Sequence, residues 1–512
     1  MARRLGIWLC LLAVVSFIAQ PAFAAVQNVK VSGDISVSAV SRNNLDLDKT
    51  RALLITGATD SRNDEHAAFL SIARVRVDAD LTDNVSTSVR LLNERNWNGD
   101  SSTATTGNNR NIGLATANAV ATEKQTDLDL ASITLKEFLY SPLTLTVGRQ
   151  ELRFGNGWIV GDPDTNGAAL TSTLAEGDLS ARKSFDALRA RFDYNPLVLD
   201  LIYAKVAENN TVLNDDTDLY GINAAYELSP QTTIEGFYFA KKRGLAAAGG
   251  AIGVTATNLD SGLTTSFDNA VVKQKDDVVN TIGVRAVNKS VKNLTLDAQV
   301  AYQFGTYNPR LDPNARFITA TDKALTSPRS AWGTEIVAAY DLKDVAAISK
   351  WEPSITGAYI YLSGESRDKT GSKAYKGWDP MFEDQTFGHL INAVMGFSNA
   401  HLFGVSLKAK PAADLTARLD YVTGWFAKKY AEGRFAILSG VSTAQTFTMS
   451  HKANFGHEFD ATLAYDYTED VQLSLLGGLF FPSKAINGDE SIYPYRQKAA
   501  AAELIGSMKV TF

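Results

Sequence analysis

The chain has 512 residues, with 50 Lys and Arg against 56 Asp and Glu, five histidines and one cysteine. The acidic balance argues against nucleic-acid binding, which draws its affinity from neutralised phosphates. A lone cysteine leaves no internal disulfide framework and no cysteine-ligated metal.

Residues 1–24 read as a cleaved secretory signal peptide. Arg3 and Arg4 form a basic start, Leu5 to Ala19 an apolar stretch, and Ala22-Phe23-Ala24 a small-x-small cleavage site. The stretch is short for a membrane span, and Pro21 breaks it. Cys10 lies in this leader, so residues 25–512 hold no cysteine; they carry 48 basic against 56 acidic residues, a net charge of −8. No later segment has the apolar run of a membrane helix. A membrane β-barrel remains open, because its strands alternate lipid-facing and water-facing residues.

Period-two alternation predicts eighteen strands: 29–41, 68–81, 85–97, 126–138, 143–152, 184–194, 197–206, 218–228, 232–243, 277–287, 293–305, 329–342, 353–364, 401–410, 415–426, 457–467, 471–481 and 500–512. In "LTLDAQVAYQFG" (294–305), Leu294, Leu296, Ala298, Val300, Tyr302 and Phe304 share one face, and Thr295, Asp297, Gln299, Ala301 and Gln303 the other. Twelve alternating residues make a strand about twice the usual globular length. Alternation is blurred at 143–152, 232–243 and 353–364.

Brief polar turns such as Thr82-Asp83-Asn84, Ser141-Pro142 and Asn195-Pro196 join the strands on one side. Long loops at 98–125, 153–183, 244–276, 306–328, 365–400, 427–456 and 482–499 join them on the other. That asymmetry predicts a single all-β domain over 25–512, a transmembrane antiparallel barrel of about eighteen strands with periplasmic turns and extracellular loops. A soluble sandwich is the competing architecture, but its edges need protection that a closed barrel does not. Aromatics recur where strands run down to the short turns: Phe138, Tyr140, Phe192, Tyr194, Tyr226, Tyr340, Tyr465 and Tyr467. Polar-edged rings suit the lipid–water boundary.

The water-facing parity collects charge. Arg74 and Arg76, Arg90 and Glu94, Arg189, Arg191 and Asp193, Arg285, and Arg418 are the pore-lining candidates, with Asp78, Asp129, Asp297, Glu335, Asp420 and Asp460 of the same parity. Arginine clusters offer bidentate contacts to carboxylates, although such groups also satisfy one another. The loops 153–183 and 365–400, the second with Trp378, Asp379, Pro380 and Phe382, are candidates to fold into the mouth as a lid. No metal site and no cofactor is expected. Loops rich in Asp and Asn could bind calcium, but they match no calcium-loop spacing, and the histidines at 66, 389, 401, 451 and 457 form no HExxH pattern. No GxSxG elbow occurs.

"LTLTVGRQELRFGNGWIVG" (143–161), "KSFDALRARFDY" (183–194), "YLSGESRDKTGSKAYKGWDPMF" (361–382) and "GHEFDATLAYDY" (456–467) resemble, in this order, motifs of the alginate-export family of outer-membrane barrels. The resemblance runs from about residue 70 to 512 and implies an eighteen-stranded barrel in the Gram-negative outer membrane. Best-known members pass an acidic polysaccharide through an arginine-lined lumen. It implies pore-lining roles for Arg149 and Arg153, beside Arg189 and Arg191. Arg149 shares the parity of Leu143, Leu145 and Val147, so it turns inward only if the strand bulges, and Gly148 is the place for that. The expected function is a passive, porin-like channel, not an enzyme, for a polar and possibly anionic solute. An outer-membrane lipase or protease, and a structural or adhesive barrel, are the other classes. The expected partners are outer-membrane lipids, the solute, and the barrel-assembly machinery, which in barrels of this kind reads a terminal aromatic, here Phe512.

Overall fold

The computed structural model describes residues 28–45, 47, 65–97, 126–163, 177–208, 216–244, 255–257, 264–266, 276–308, 326–365, 374–430, 434–439, 444–486 and 499–512. Residues 1–24, read from the sequence as a leader, and most residues of the long loops lie outside them.

Alternation folds as it reads. The wall begins with β1 (Asn28–Asn43), β2 (Glu65–Thr82), β3 (Val85–Asn96), β4 (Thr126–Leu135), β5 (Leu143–Gln150) and β6 (Phe185–Asp193). It continues with β7 (Leu197–Ala207), β8 (Thr217–Ser229) and β9 (Thr232–Arg243). Loop hairpins are formed by β10 (Thr255–Thr257) with β11 (Thr264–Ser266), and by β18 (Arg434–Ser439) with β19 (Ala444–Met449). The second half of the wall is β12 (Asp277–Asn288), β13 (Leu294–Tyr307), β14 (Ser327–Asp341), β15 (Ser354–Leu362), β16 (Ala400–Ala412) and β17 (Leu415–Phe426). It ends with β20 (Asn454–Asp466), β21 (Val471–Pro482) and β22 (Ala501–Thr511). Every neighbouring pair is antiparallel, and β22 returns to pair with β1, closing an eighteen-stranded barrel. Closure leaves no unpaired edge, as a lipid environment demands. The predicted strand ends agree with the observed ones to within three residues.

The two parities separate cleanly on β13. Leu296, Val300 and Phe304 are 39–41% exposed on the outer face, while Gln299, Ala301 and Gln303 are buried inside. Tyr140, Tyr194, Tyr226, Tyr340, Tyr465 and Tyr467 are exposed at the short-turn end, forming the expected girdle. The apolar outward residues of the last strand are Leu504, Met508 and Phe512. Ile505, which breaks its alternation, points inward and packs with Val40, Leu70 and Leu476.

The main apolar core lies within the barrel. Inward residues at the long-loop ends, among them Phe185, Phe239, Val279, Ile360, Phe455 and Phe480, pack on Leu152, Trp158, Val160, Trp378, Phe382 and Leu390. The latter six come from the segments that follow β5 and β15, so two loops fill the lumen as a plug. Fully burying one such Phe, Leu or Ile contributes about 1.5–3 kcal/mol, which holds these loops in place.

Candidate functional site: the plugged lumen

The plug forms where the two loops meet. Val160 and Phe382 form an isolated parallel bridge. Gly161 N–H donates to the Phe382 carbonyl at 2.7 Å, and Phe382 N–H to the Ile159 carbonyl at 3.1 Å. Asp384 N–H donates to the Gly157 carbonyl at 2.8 Å. Trp158 and Trp378 stack at 5.2 Å over Gly333 of β14, where an added Cβ would lie 2.9–3.0 Å from the two rings. Gly157 has φ +85°, and a Cβ there would meet Arg153 Nε at 2.9 Å, so the turn carrying the first loop inward requires glycine.

Polar contacts anchor the plug to the wall. Asn156 Nδ2 donates to Glu335 Oε2 at 2.6 Å, and Gln385 Nε2 to Glu335 Oε1 at 3.0 Å. Gln299 of β13 joins the same cluster through Asn156 Oδ1. Asp379 receives Lys241 Nζ at 2.5 Å and the Met381 N–H at 2.8 Å, and its main chain exchanges two hydrogen bonds with the Gln303 amide. Burial works against the charge of Asp379, but Lys241 and Arg329 hold its carboxyl below the ordinary carboxylate value. A short helix, α1 (His389–Val394), sets its first N–H groups on β20: Leu390 and Ile391 each donate to the Glu458 carboxylate at 2.7 Å. Such N-terminal N–H groups have no partner within a helix.

Glu383 sits at the junction of the loops. It is 2% exposed, its Oε2 accepts the Gln385 N–H at 2.8 Å, and its Oε1 has no hydrogen-bond partner among the described residues. Burial, with Asp384, Asp162 and Glu335 nearby, pushes its carboxyl up to about 8.

Most of the sequence candidates line the lumen side. Arg74 donates to Asp34 at 2.8 and 2.9 Å, and Arg76 to Asp78 at the same distances. Arg90 Nε donates to Asp129 at 2.6 Å, and its Nη2 lies 2.8 Å from Glu151. Glu94 accepts the Ala181 N–H at 2.6 Å and pairs with Lys183. Arg189 pairs with Asp200 at 2.7 Å and lies over the Phe154 ring. Arg285 bridges Asp297 and Glu235, each at 2.6 Å. Arg418 pairs with Asp420 at 2.8 Å and its side chain is 55% exposed. Asp193 accepts the Asn195 N–H at the β6–β7 turn. Arg191 is exposed and carries no ion pair among the described residues.

Two candidates do not lie on the inner wall. Arg153 belongs to the inserted loop, where it and Arg182 share Asp384. Arg149 is on the outer face. Gly148 has φ +115°, yet β4 and β5 pair without a register shift, Ala131 opposite Arg149. The bulge that would turn Arg149 inward is absent, so it keeps the parity of the 39%-exposed Val147 and pairs with Asp186 at 2.7 Å. Sequence reasoning missed Arg182, Lys241, Arg329, Glu383, Asp384 and Glu458 as site residues. Only the two flagged loops, 153–183 and 365–400, the second with Trp378 and Asp379, signalled where they converge.

The family model described as "Alginate export" matches residues 55–496. No curated protein matches the chain. Among solved structures it is similar to Acinetobacter baumannii OccAB1, at 12% identity and TM-score 0.53, over 95% of this chain and 97% of that one. It also matches Pseudomonas aeruginosa OccK3 (OpdO), at 11% identity and TM-score 0.47, over 95% and 96% of the two chains. At such identities the likeness concerns the fold alone.

Proposed function

Because the chain belongs to the alginate-export family, we propose that it is a passive outer-membrane channel for a polar, anionic solute of the acidic-oligosaccharide or polysaccharide class. The observation that carries this reading is the meeting of two loops, bridged at Val160 and Phe382, inside a closed barrel whose inner face is charged. A plug narrows the passage, and fixed charges beside it select the solute. Most lumen arginines already hold a carboxylate, so a passing anion competes for them, and Arg191, with no ion pair among the described residues, offers the least contested contact. Weak, multiple contacts let a solute leave as well as enter.

No covalent chemistry is assigned. His401 and His457 lie on the outward parity, bonded to Tyr359 and Tyr421 at 2.8 and 2.9 Å, remote from lumen water. The leader at 1–24 would deliver the chain for export, and Phe512 would be the residue read by the assembly machinery. Purified protein in planar bilayers tests the channel: it should conduct, prefer anions, and be blocked in part by uronate oligomers. Absence of conductance at every voltage and pH would overturn the reading.

A further inference from the structure

Arg42 of β1 is an inward-facing arginine whose side chain is wholly buried. Register sets it opposite Glu503 of β22, across the seam where the last strand closes on the first. Its Nε and Nη2 donate to Glu503 Oε2 at 3.1 and 3.0 Å. Its Nη1 and Nη2 donate to the Asp178 carboxylate at 2.8 and 2.5 Å. Asp178 belongs to neither strand. It sits in a short 3-10 turn, Gly177–Leu179, in the returning limb of the loop between β5 and β6. One rigid guanidinium fork thus joins both sides of the seam to the plug.

The rest of this limb, residues 177–183, follows the inner wall on both sides of the seam. Leu179 packs on the apolar cluster of Val40, Leu70, Leu476 and Ile505, which come from β1, β2, β21 and β22. Ser180 Oγ and the Ala181 N–H donate to Glu94 of β3 at 3.2 and 2.6 Å, and Lys183 pairs with the same carboxylate. Arg182 reaches Asp384 of the second loop, whose helix α1 lies beside the 3-10 turn and over β21 and β22. The limb therefore spans five consecutive strands, β21, β22, β1, β2 and β3, with the seam inside the span.

We propose that residues 177–183 are a strap that couples the plug to barrel closure, with Arg42 as its positioning residue. The dock for Asp178 and Leu179 exists only after β22 has paired with β1. Before that, Glu503 does not face Arg42, and the apolar cluster is divided between the two ends of the wall. Closure therefore precedes docking of the strap, and an open barrel is unplugged. The coupling is reciprocal. A docked strap keeps Arg42 and Glu503 together and braces the seam; a strap without its carboxylate leaves a buried cation short of a partner. The coupling is the same whatever solute is carried, and it can be read without any conductance.

The test is amide hydrogen exchange of the full-length barrel in detergent micelles, read by mass spectrometry, with heat-dependent gel mobility as the check of folding. Asp178→Asn, on the strap, should speed exchange at 177–183 about tenfold, as loss of a charged hydrogen-bond pair implies. It should also speed exchange several-fold at the seam, residues 40–43 and 502–505. Glu503→Gln, on the wall, should in turn speed exchange at 177–183. An effect that stays within the mutated segment, in either folded variant, would overturn the proposal. The wild type decides the matter even if a variant fails to fold. On stepwise addition of urea, 177–183 and the seam amides should lose protection in one shared transition, and two separate transitions would contradict the coupling.

Discussion

Val160 and Phe382 pair inside the lumen although their loops leave the wall at β5 and β15, the fifth and thirteenth strands around the ring. This bridge joins nearly opposite sides of the barrel. It makes the plug one unit, with anchors on β9, β13, β14 and β20.

Trp378→Ala should loosen the plug without unfolding the barrel. Replacing a buried Trp with Ala costs about 3–5 kcal/mol, and here the loss falls on the stack with Trp158. Single-channel conductance should rise several-fold while heat-dependent gel mobility stays that of a folded barrel. Unchanged conductance would mean that the plug does not set the passage.

Arg191→Ala should lower the anion preference in reversal-potential measurements more than Arg418→Ala, whose side chain shares its charge with Asp420. Arg189→Ala should lower it too, because it leaves Asp200 of β7 without its partner. If neither Arg189→Ala nor Arg191→Ala shifts the reversal potential, the pore-lining assignment of these two residues fails.

Glu383 gives the plug a pH dependence. Its carboxyl is raised from 4.5 to about 8 in the docked loop, so the docked form binds the proton more tightly than the freed one. The stabilisation is complete below pH 4.5 and is lost as pH rises through about 8. The groups nearest to it, Asp162, Asp384 and Glu335, are all acidic and repel the ionised form. Current fluctuations should therefore increase from pH 6 to pH 9 in the wild type, and Glu383→Gln should flatten that profile. A profile identical in the two proteins would contradict this role.

Phe512 closes the barrel against Gly33. The two exchange main-chain hydrogen bonds of 2.8 and 2.9 Å, and a Cβ on residue 33 would lie 2.6 Å from the Phe512 ring. Deleting Phe512, or replacing Gly33 with Val, should cut the yield of assembled barrel in outer-membrane fractions. The assembled minority should conduct like the wild type; normal yield would remove the closing role from this contact.

The wall was legible because its signal is local. Period-two alternation needs only neighbouring residues, and it located strands as far apart as β1 and β22 to within three residues. Arg149 follows the same rule: its parity with Val147 named the outer face, and the family resemblance alone argued for the lumen. The plug was less legible because irregular loops carry no period. Trp158, Trp378 and Phe382 read as loop aromatics, and only tertiary contact turns them into a core. Ion-pair partners such as Asp384 for Arg153 lie on distant loops, beyond any spacing rule. Ile505 shows the converse, an apolar residue on the water-facing parity whose reason is a small inner cluster.

The most direct test of the account is the reversal potential of the purified barrel across a planar bilayer in asymmetric potassium chloride, repeated with uronate oligomers on one side. A passive, plugged, anion-preferring channel predicts discrete conductance steps, a reversal potential displaced towards that of chloride, and a reduced current when the oligomer is present. A silent bilayer, or a cation-selective current indifferent to the oligomer, would contradict it.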